Sequence, residues 1–218
     1  MPKKMSMTSN TGTCNLCEGV FSQKEILKHV RDCATSKCAG QKQEKMFLVN
    51  VNSSGFWLYI AASENAKLSD LDSFLRRIWL ECCGHLSAFR IGGSSYQSGT
   101  SDVTSSKSMN FILKDVLHPG TRFEHEYDFG STTYLALAVE DFIQLPADKS
   151  RILLLSRNNM QDIPCGVCGK KATQICVFCF GNKSNCFCEK CSEGHDCGED
   201  GLLPIVNSPR CGVCGYTG

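Results

Sequence analysis

Residues 46–62 read MFLVNVNSSGFWLYIAA, and this stretch decides the fold of the middle of the chain. Before its central turn, Phe47, Val49 and Val51 alternate with other side chains, which is the period of a strand with one buried face. The Asn-Ser-Ser-Gly segment is typical of a turn, and a second run of apolar and aromatic residues follows it. The sequence therefore predicts a β-hairpin here.

A helix and several returning strands are predicted after this hairpin. Ser69 and Asp72 have the spacing of a capping box, and Gly84 is suited to end the helix that they begin. Apolar residues recur at helical spacing between them: Leu71, Leu75, Ile78 and Trp79. Later strands are predicted at 86–91, 123–129, 132–139 and 151–155, with a Ser-, Thr- and Gly-rich mobile loop at 94–108. Together these elements predict an α+β domain over residues 46–160, with a helix packed on a mixed sheet, and a ubiquitin-like arrangement is one candidate for it.

Cysteine usage separates this chain from ordinary globular proteins. Its 218 residues suffice for one domain with small satellites, and 16 of them are cysteines. Many fall in Cys-x-x-Cys pairs arranged in series, and the first residues carry no apolar run typical of a secretory leader, so intracellular metal sites are favoured over a disulfide framework. The net charge of +1 provides no global field for nucleic acid or an anionic membrane. No apolar run approaches a membrane span, so a cytoplasmic location is expected.

The first metal motif is Cys14-x2-Cys17-x11-His29-x3-Cys33. Its two leading cysteines suit a tight turn, whereas His29 and Cys33 are four residues apart and share one face of a helix. Four ligands of this kind form a closed tetrahedral site, so a Cys3His zinc finger is predicted. The corresponding boundaries are a disordered segment at 1–13, the finger at 14–33 and a linker at 34–45.

The helix of this finger is poorly suited to reading DNA bases. The positions that contact bases in DNA-binding fingers fall here on Ser22, Glu25 and Lys28, and only Lys28 is basic. No second finger follows in tandem, and a lone finger covers about 3 base pairs. The sequence therefore favours a protein partner, with weak and non-specific nucleic-acid binding as the alternative.

The C-terminal residues 164–218 are rich in Cys and Gly and poor in large aliphatic side chains, so metal must supply their folding energy. Eight ligands suit two zinc ions in an interleaved cross-brace. The preferred pairing gives one ion Cys165, Cys168, Cys188 and Cys191, and the other Cys176, Cys179, His195 and Cys197. An alternative pairing puts Cys214 in place of Cys197, because Cys211-Gly-Val-Cys214-Gly also resembles a knuckle turn. With the finger, about three zinc ions are expected.

Two other metal chemistries fit these residues less well. An iron–sulfur cluster also accepts thiolates, but the paired spacings and a neighbouring histidine favour zinc. A zinc deaminase needs a His-x-Glu element, and none of the five histidines has Glu two positions later.

Three segments of the middle domain resemble one known family. They are Leu68-x2-Leu71-Asp72-x2-Leu75-Arg76-x-Ile78-Trp79, Gly84-His85-Leu86-Ser87-Ala88-Phe89-Arg90-Ile91-Gly92-Gly93 and Glu126-Tyr127-Asp128-Phe129-Gly130. Through them, residues 46–156 are similar to the plasmid pRiA4b ORF-3-like family, whose members are also labelled mobile-element passenger proteins. That family usually continues with Asp, Trp and His, whereas this chain has Ser131-Thr132-Thr133-Tyr134-Leu135 and looks more like a zinc-bearing branch. The resemblance implies a link to mobile elements but no agreed biochemical activity.

Two interpretations of His85, Tyr127 and Asp128 stay open. Asp128-Phe129-Gly130 lies between two predicted strands, where Asp and Gly favour a tight turn. Alternatively, the three residues line a binding cleft in which His85 and Asp128 form an acid–base pair. The adjacent cysteines at 82–83 are expected to be buried free thiols, with a metal or redox role as the alternative.

These observations support three hypotheses of function. The first is a zinc-stabilised, non-enzymatic interaction module or adaptor with an unknown partner. The second is an enzyme whose site lies near His85 and Asp128, and the third is a mobile-element or plasmid-associated protein that contacts nucleic acid. Because no recombinase or kinase constellation accompanies these residues, a non-enzymatic role is favoured.

Overall fold

The computed structural model describes residues 11–38, 42–99, 106–147, 150–179 and 185–218. The strands are β1 (Thr11–Cys14), β2 (Val20–Ser22), β3 (Gln43–Ser53), β4 (Phe56–Ser63), β5 (Ser87–Ile91), β6 (Ser94–Gln97), β7 (Lys107–Ser108), β8 (Arg122–Tyr127), β9 (Thr133–Pro146), β10 (Ile152–Asn158), β11 (Gln174–Cys176), β12 (Cys186–Phe187) and β13 (Leu202–Pro204). The helices are α1 (Gln23–Lys37), α2 (Leu68–Leu75), α3 (Leu113–Val116) and α4 (Glu189–Ser192), with a π-helical turn at Arg76–Leu80 and a 3-10 turn at Glu199–Gly201. Within the described residues, no helix is both long and apolar enough to cross a membrane.

Ten strands form one large sheet in the order β2-β1-β10-β4-β3-β9-β8-β5-β6-β7. Its neighbours pair antiparallel, except that β6 and β7 are parallel. The C-terminal segment has its own small sheet in the order β12-β11-β13. The predicted α+β class, with a helix on a mixed sheet, is confirmed, and the ubiquitin-like arrangement stays a prediction.

The predicted hairpin at residues 46–62 is formed by β3 and β4. Ser54 and Gly55 connect the two strands, and both have positive φ angles, 49° and 92°. Two successive positive φ angles are what a type I′ turn requires, and this turn matches the twist of the strands that it joins. All of β4 is buried, because the sheet is covered on both faces at this position.

One face of the sheet packs against α2 and the π-helical turn. Leu71, Leu75 and Trp79 are fully buried there beside the predicted inner face of β3. The helix starts earlier than predicted, because Lys67 is the N-cap residue and the Asp70 carboxylate accepts its amide at 2.8 Å. The predicted capping box at Ser69 and Asp72 is therefore wrong, and the helical stretch ends at Leu80 rather than at Gly84.

The other face of the sheet packs against α1. Ile26, Val30 and Ala34 of this helix are fully buried in a core that includes Leu48 and Trp57 of the hairpin. In addition, β1 pairs with β10, so the chain around the first metal motif continues the large sheet. The finger is therefore part of the sheet domain.

Three predicted boundaries differ from the structure. Residues 11–13 were expected to be disordered and instead belong to β1, while α1 runs through Lys37 into the expected linker. The predicted loop at 94–108 contains the short strands β6 and β7. Residues 100–105 of that loop, and residues 1–10, lie outside the described residues.

Candidate metal centres

Four groups of Cys and His side chains could each hold a metal ion, and within each group the ligand atoms lie within 4.8 Å of one another. In a tetrahedral zinc site with Zn–S bonds of about 2.3 Å, neighbouring sulfur atoms are about 3.8 Å apart, so this spacing suits one shared ion. All sixteen cysteines fall within the described residues, and none of them is in a disulfide. The groups are Cys14, Cys17, His29 and Cys33; Cys165, Cys168, Cys188 and Cys191; Cys176, Cys179, His195 and Cys197; and Cys82, Cys83, His85 and Cys214.

The first group joins the turn between β1 and β2 to helix α1. Cys14 ends β1 and Cys17 lies in the turn, while His29 and Cys33 occupy one face of the helix. The Sγ atom of Cys17 is 3.2 Å from Nε2 of His29. The ring of Phe21 stacks on the imidazole with 3.6 Å between centroids, which fixes the orientation of the ring.

The second group brings together four cysteines from the C-terminal segment. The turn that carries Cys165 and Cys168 closes where the amide of Gly169, at φ 73°, donates to the Cys165 carbonyl at 2.9 Å. The Sγ atom of Cys168 lies 3.6 Å from that of Cys188, and Cys191 follows on α4. These are the four residues that the cross-brace pairing assigns to one ion.

The third group lies beside the small sheet. Cys176 ends β11, and the Sγ atom of Cys179 lies 3.2 Å from Nε2 of His195 and 3.8 Å from Sγ of Cys197. The ring of Phe187 on β12 packs 4.3 Å from the His195 ring. Cys197 therefore occupies the position for which Cys214 was the alternative.

Within the second and third groups, the pKa values of the cysteines shift in opposite directions. Backbone amides lower the pKa of Cys165 to about 6, whereas hydrogen bonds with neighbouring thiols raise that of Cys191 to about 12. Burial would raise the pKa of Cys176, but hydrogen bonds from His195 and nearby amides lower it to about 7. Burial and the Cys176 sulfur raise the pKa of Cys179 to about 12. In each of these two groups the pKa of one thiol is lowered and that of another is raised, so a cation that binds both sulfur atoms must displace a proton.

The fourth group unites residues that the sequence motifs leave apart. The Sγ atom of Cys83 lies 2.9 Å from Nε2 of His85 and 3.7 Å from Sγ of Cys214. Nε2 of His85 is 3.2 Å from Sγ of Cys214, and the sulfur atoms of Cys82 and Cys83 are 3.5 Å apart. The expected burial at 82–83 is wrong for Cys83, which is exposed, whereas both cysteines belong to a group that could hold a metal ion, as the alternative interpretation proposed.

The predicted cleft residues are adjacent, but they are already engaged. Nε2 of His85 is 3.6 Å from Oδ2 of Asp128, and the Tyr127 ring packs against the His85 ring at 5.8 Å. One carboxylate oxygen of Asp128 accepts two amides of its own turn, and the other accepts the guanidinium of Arg210 at 2.6 Å. Asp128 has a φ of 64°, which fits the predicted tight turn. Because Nε2 of His85 faces the sulfur atoms of Cys83 and Cys214, the arrangement suits metal binding better than acid–base catalysis.

Three cysteines lie outside the four groups. The thiol of Cys38 donates to the Gln144 carbonyl at 3.2 Å, and the sulfur of Cys211 accepts the Val206 amide at 3.5 Å. Cys186 is buried in the small C-terminal core. Burial raises the pKa of Cys211, which keeps it a thiol.

A groove of about 740 Å³ lies where helix α1, the large sheet and the C-terminal tail after β13 meet. Its walls come from the start of α1, the β3–β4 turn, the start of β9 and the C-terminal tail, represented by Gln23, Ser53, Leu135, Pro209 and Val213. A smaller groove of about 440 Å³ lies beside it, and Thr132 and Tyr134 line both. The Tyr134 side chain between them is 60% exposed.

No protein-family model matches this chain, and no curated protein does. Among solved structures, the chain is similar to a protein of unknown function, MM3350 from Methanosarcina mazei Go1, at 19% identity and a TM-score of 0.44. The match covers 52% of this chain and 68% of that one.

Proposed function

We propose that the protein is a zinc-stabilised, non-enzymatic interaction module whose partner is a protein. The observation that carries this proposal is the composition of the larger groove. Its walls come from helix α1 of the first metal motif, from the sheet domain and from the C-terminal tail. The two ends of the chain that carry metal motifs therefore complete a surface that the middle of the chain cannot form by itself. The metal ions would then serve the binding surface by holding its walls in place.

Zinc fits the donor sets of the three predicted groups. Each has four ligands, and thiolates outnumber imidazoles in all of them. Catalytic zinc keeps an open ligand position, whereas closed, thiolate-rich sites are structural. About three zinc ions bound to the predicted sets would therefore supply folding energy rather than chemistry.

A protein partner fits the groove better than a phosphate backbone. The described lining residues include Glu124 and no Lys or Arg, so the groove offers nothing to neutralise phosphates. Tyr134 presents an exposed aromatic ring between the two grooves, and tyrosine is among the side chains that anchor protein interfaces.

Nucleic-acid binding is the second proposal, and it rests on α1. Lys24 and Lys28 are exposed on this helix, but Glu25 is exposed beside them and Arg31 pairs with Asp141 at 3.7 Å. Membership of the plasmid pRiA4b ORF-3-like family and a link to mobile elements also stay proposals, carried by the sequence resemblance. An enzyme centred on His85 and Asp128 has less support, because both side chains are engaged and neither lines the two grooves described.

Affinity capture from native lysate, with and without nuclease, tests the proposal when it is followed by direct binding measurements. The Tyr134→Ala variant should weaken binding of the recovered protein by about tenfold or more. Phe111→Ala is the matched control, because Phe111 is also an exposed aromatic residue and lies on neither groove. Partners lost on nuclease treatment, or equal binding by both variants, would contradict the proposal.

A further inference from the structure

We infer that Cys82, Cys83, His85 and Cys214 form a fourth zinc site, which fastens the C-terminal tail to the sheet domain. This site is additional to the three that sequence spacing predicts, and it does not depend on the proposed function. Three of its ligands follow the π-helical turn, and the fourth comes from a position about 130 residues later in the chain.

The contacts around one imidazole nitrogen support metal binding. Nε2 of His85 has Sγ of Cys83 at 2.9 Å, Sγ of Cys214 at 3.2 Å and Oδ2 of Asp128 at 3.6 Å. A ring nitrogen carries either one N–H or one lone pair, so it cannot form hydrogen bonds with all three atoms at once. A single cation between the imidazole nitrogen and the sulfur atoms accounts for their convergence, and three thiolates with one imidazole are a ligand set of zinc.

A repeated pentapeptide also indicates a ligand at Cys214. The sequence CGVCG occurs at 165–169 and again at 211–215, and the last glycine has a positive φ in both copies, 73° and 69°. In the first copy both cysteines belong to a metal group, whereas in the second only Cys214 does. Cys211 instead accepts the Val206 amide. The second copy thus supplies one ligand, Cys214, and the other three ligands come from residues 82–85.

Arg210 would offset part of the negative charge that this site carries when it holds a divalent ion. Arg210 is fully buried, and its guanidinium donates to Asp128 at 2.6 Å and to Sγ of Cys82 at 3.4 Å. Three thiolates around one Zn²⁺ leave a net charge of −1, and Asp128 adds another negative charge. The buried guanidinium touches both, as expected for a residue that supports metal ligands from the second layer.

The position of the site explains what it would do. The tail is already aligned by the Ser208 hydroxyl, which donates to the Trp79 carbonyl at 2.6 Å, and by Arg210. The ion would lock this alignment with bonds to Cys214. Pro209 and Val213, which line the larger groove, lie between these anchor points.

Native mass spectrometry of the zinc-loaded full chain tests the inference by counting ions. Cys214→Ser and Cys83→Ser should each carry one ion fewer than the unchanged chain, whereas Cys211→Ser should lose none. Cys83 is exposed, so its substitution keeps the test valid if Cys214→Ser does not fold. In hydrogen exchange, residues 206–216 should exchange faster in Cys214→Ser than in Cys211→Ser, with residues 165–197 unchanged.

Three results would overturn the inference. They are an unchanged ion count in Cys214→Ser and Cys83→Ser, the loss of an ion in Cys211→Ser, and a disulfide between any two of the three cysteines in protein that carries all its zinc. None of these results depends on partner binding, so the inference can fail while the proposed function stands.

Discussion

Replacing Ile26 with alanine tests whether the finger is a structural part of the sheet domain. Ile26 is fully buried on α1, in the same core as Leu48, Trp57 and Leu155. The substitution removes three carbon atoms at about 0.8 kcal/mol each, so the transfer loss is about 2.4 kcal/mol. The remaining cavity should raise the total loss to about 3–4 kcal/mol. For a chain of this size, that corresponds to a fall in Tm of about 6–16 °C.

Thermal unfolding of the zinc-loaded chain, followed by circular dichroism, measures this loss. Native mass spectrometry of the same samples should show unchanged zinc, because Ile26 is not a ligand. Lys28→Ala is the control on the exposed face of the same helix, and it should change stability by no more than about 0.5 kcal/mol. A loss below about 1 kcal/mol in an Ile26→Ala variant that keeps its zinc would refute the packing of α1 on the sheet.

Three further predictions concern metal, pH and DNA. A strong chelator should remove hydrogen-exchange protection from residues 165–197 before the large sheet, because that segment has only a small apolar core; equal loss in both would contradict this. Asp72→Asn should cost about 3–5 kcal/mol in urea unfolding at pH 7, since it leaves Arg76 and His125 without their carboxylate. Burial alone would raise the pKa of Asp72, but His125, Ser87 and Arg76 hold this pKa below the ordinary value of 3.8. The carboxylate therefore contributes its full stabilisation above pH 3.8, and the difference in stability between the two proteins should shrink as the pH falls below 3.8. Random duplex DNA should bind no better than about micromolar at physiological salt, with a salt slope of about 2, because Lys24 and Lys28 are free for phosphates whereas Arg31 is paired; a nanomolar complex would refute this.

Local patterns predicted the elements of the fold but not their assembly. The hairpin could be predicted because its signals lie close together in the chain. They are the alternation of Phe47, Val49 and Val51 and the turn at Ser54 and Gly55. The docking of the finger could not be predicted, because an apolar residue at position 26 is as typical of the core of an isolated finger as of a helix packed on a sheet. The pairing of β1 with β10 joins segments more than 140 residues apart, and no local signal carries it.

The same distinction separates the metal groups. Twelve candidate ligands lie in Cys-x-x-Cys pairs or in short spacings that contain His, and such spacings bring two ligands together through a local turn or helix. The structure places these twelve residues in the three predicted groups. The fourth group has adjacent cysteines at 82–83 and a ligand at Cys214, so no spacing rule detects it. The signal in the sequence was the second CGVCG copy, at 211–215, because the preferred pairing leaves it no second pair of ligands.

An ion in the first group and the proposed fourth ion would support the same surface from opposite faces of the sheet. An ion in the first group would fix α1, which covers one face. The proposed fourth ion would fix the tail beside Trp79, which is buried in the core of the other face. The larger groove takes Gln23 from α1 and Val213 from the tail. Removing either ion would therefore displace a wall of one groove, and loss of both should not weaken partner binding additively, because residues that share one surface are coupled.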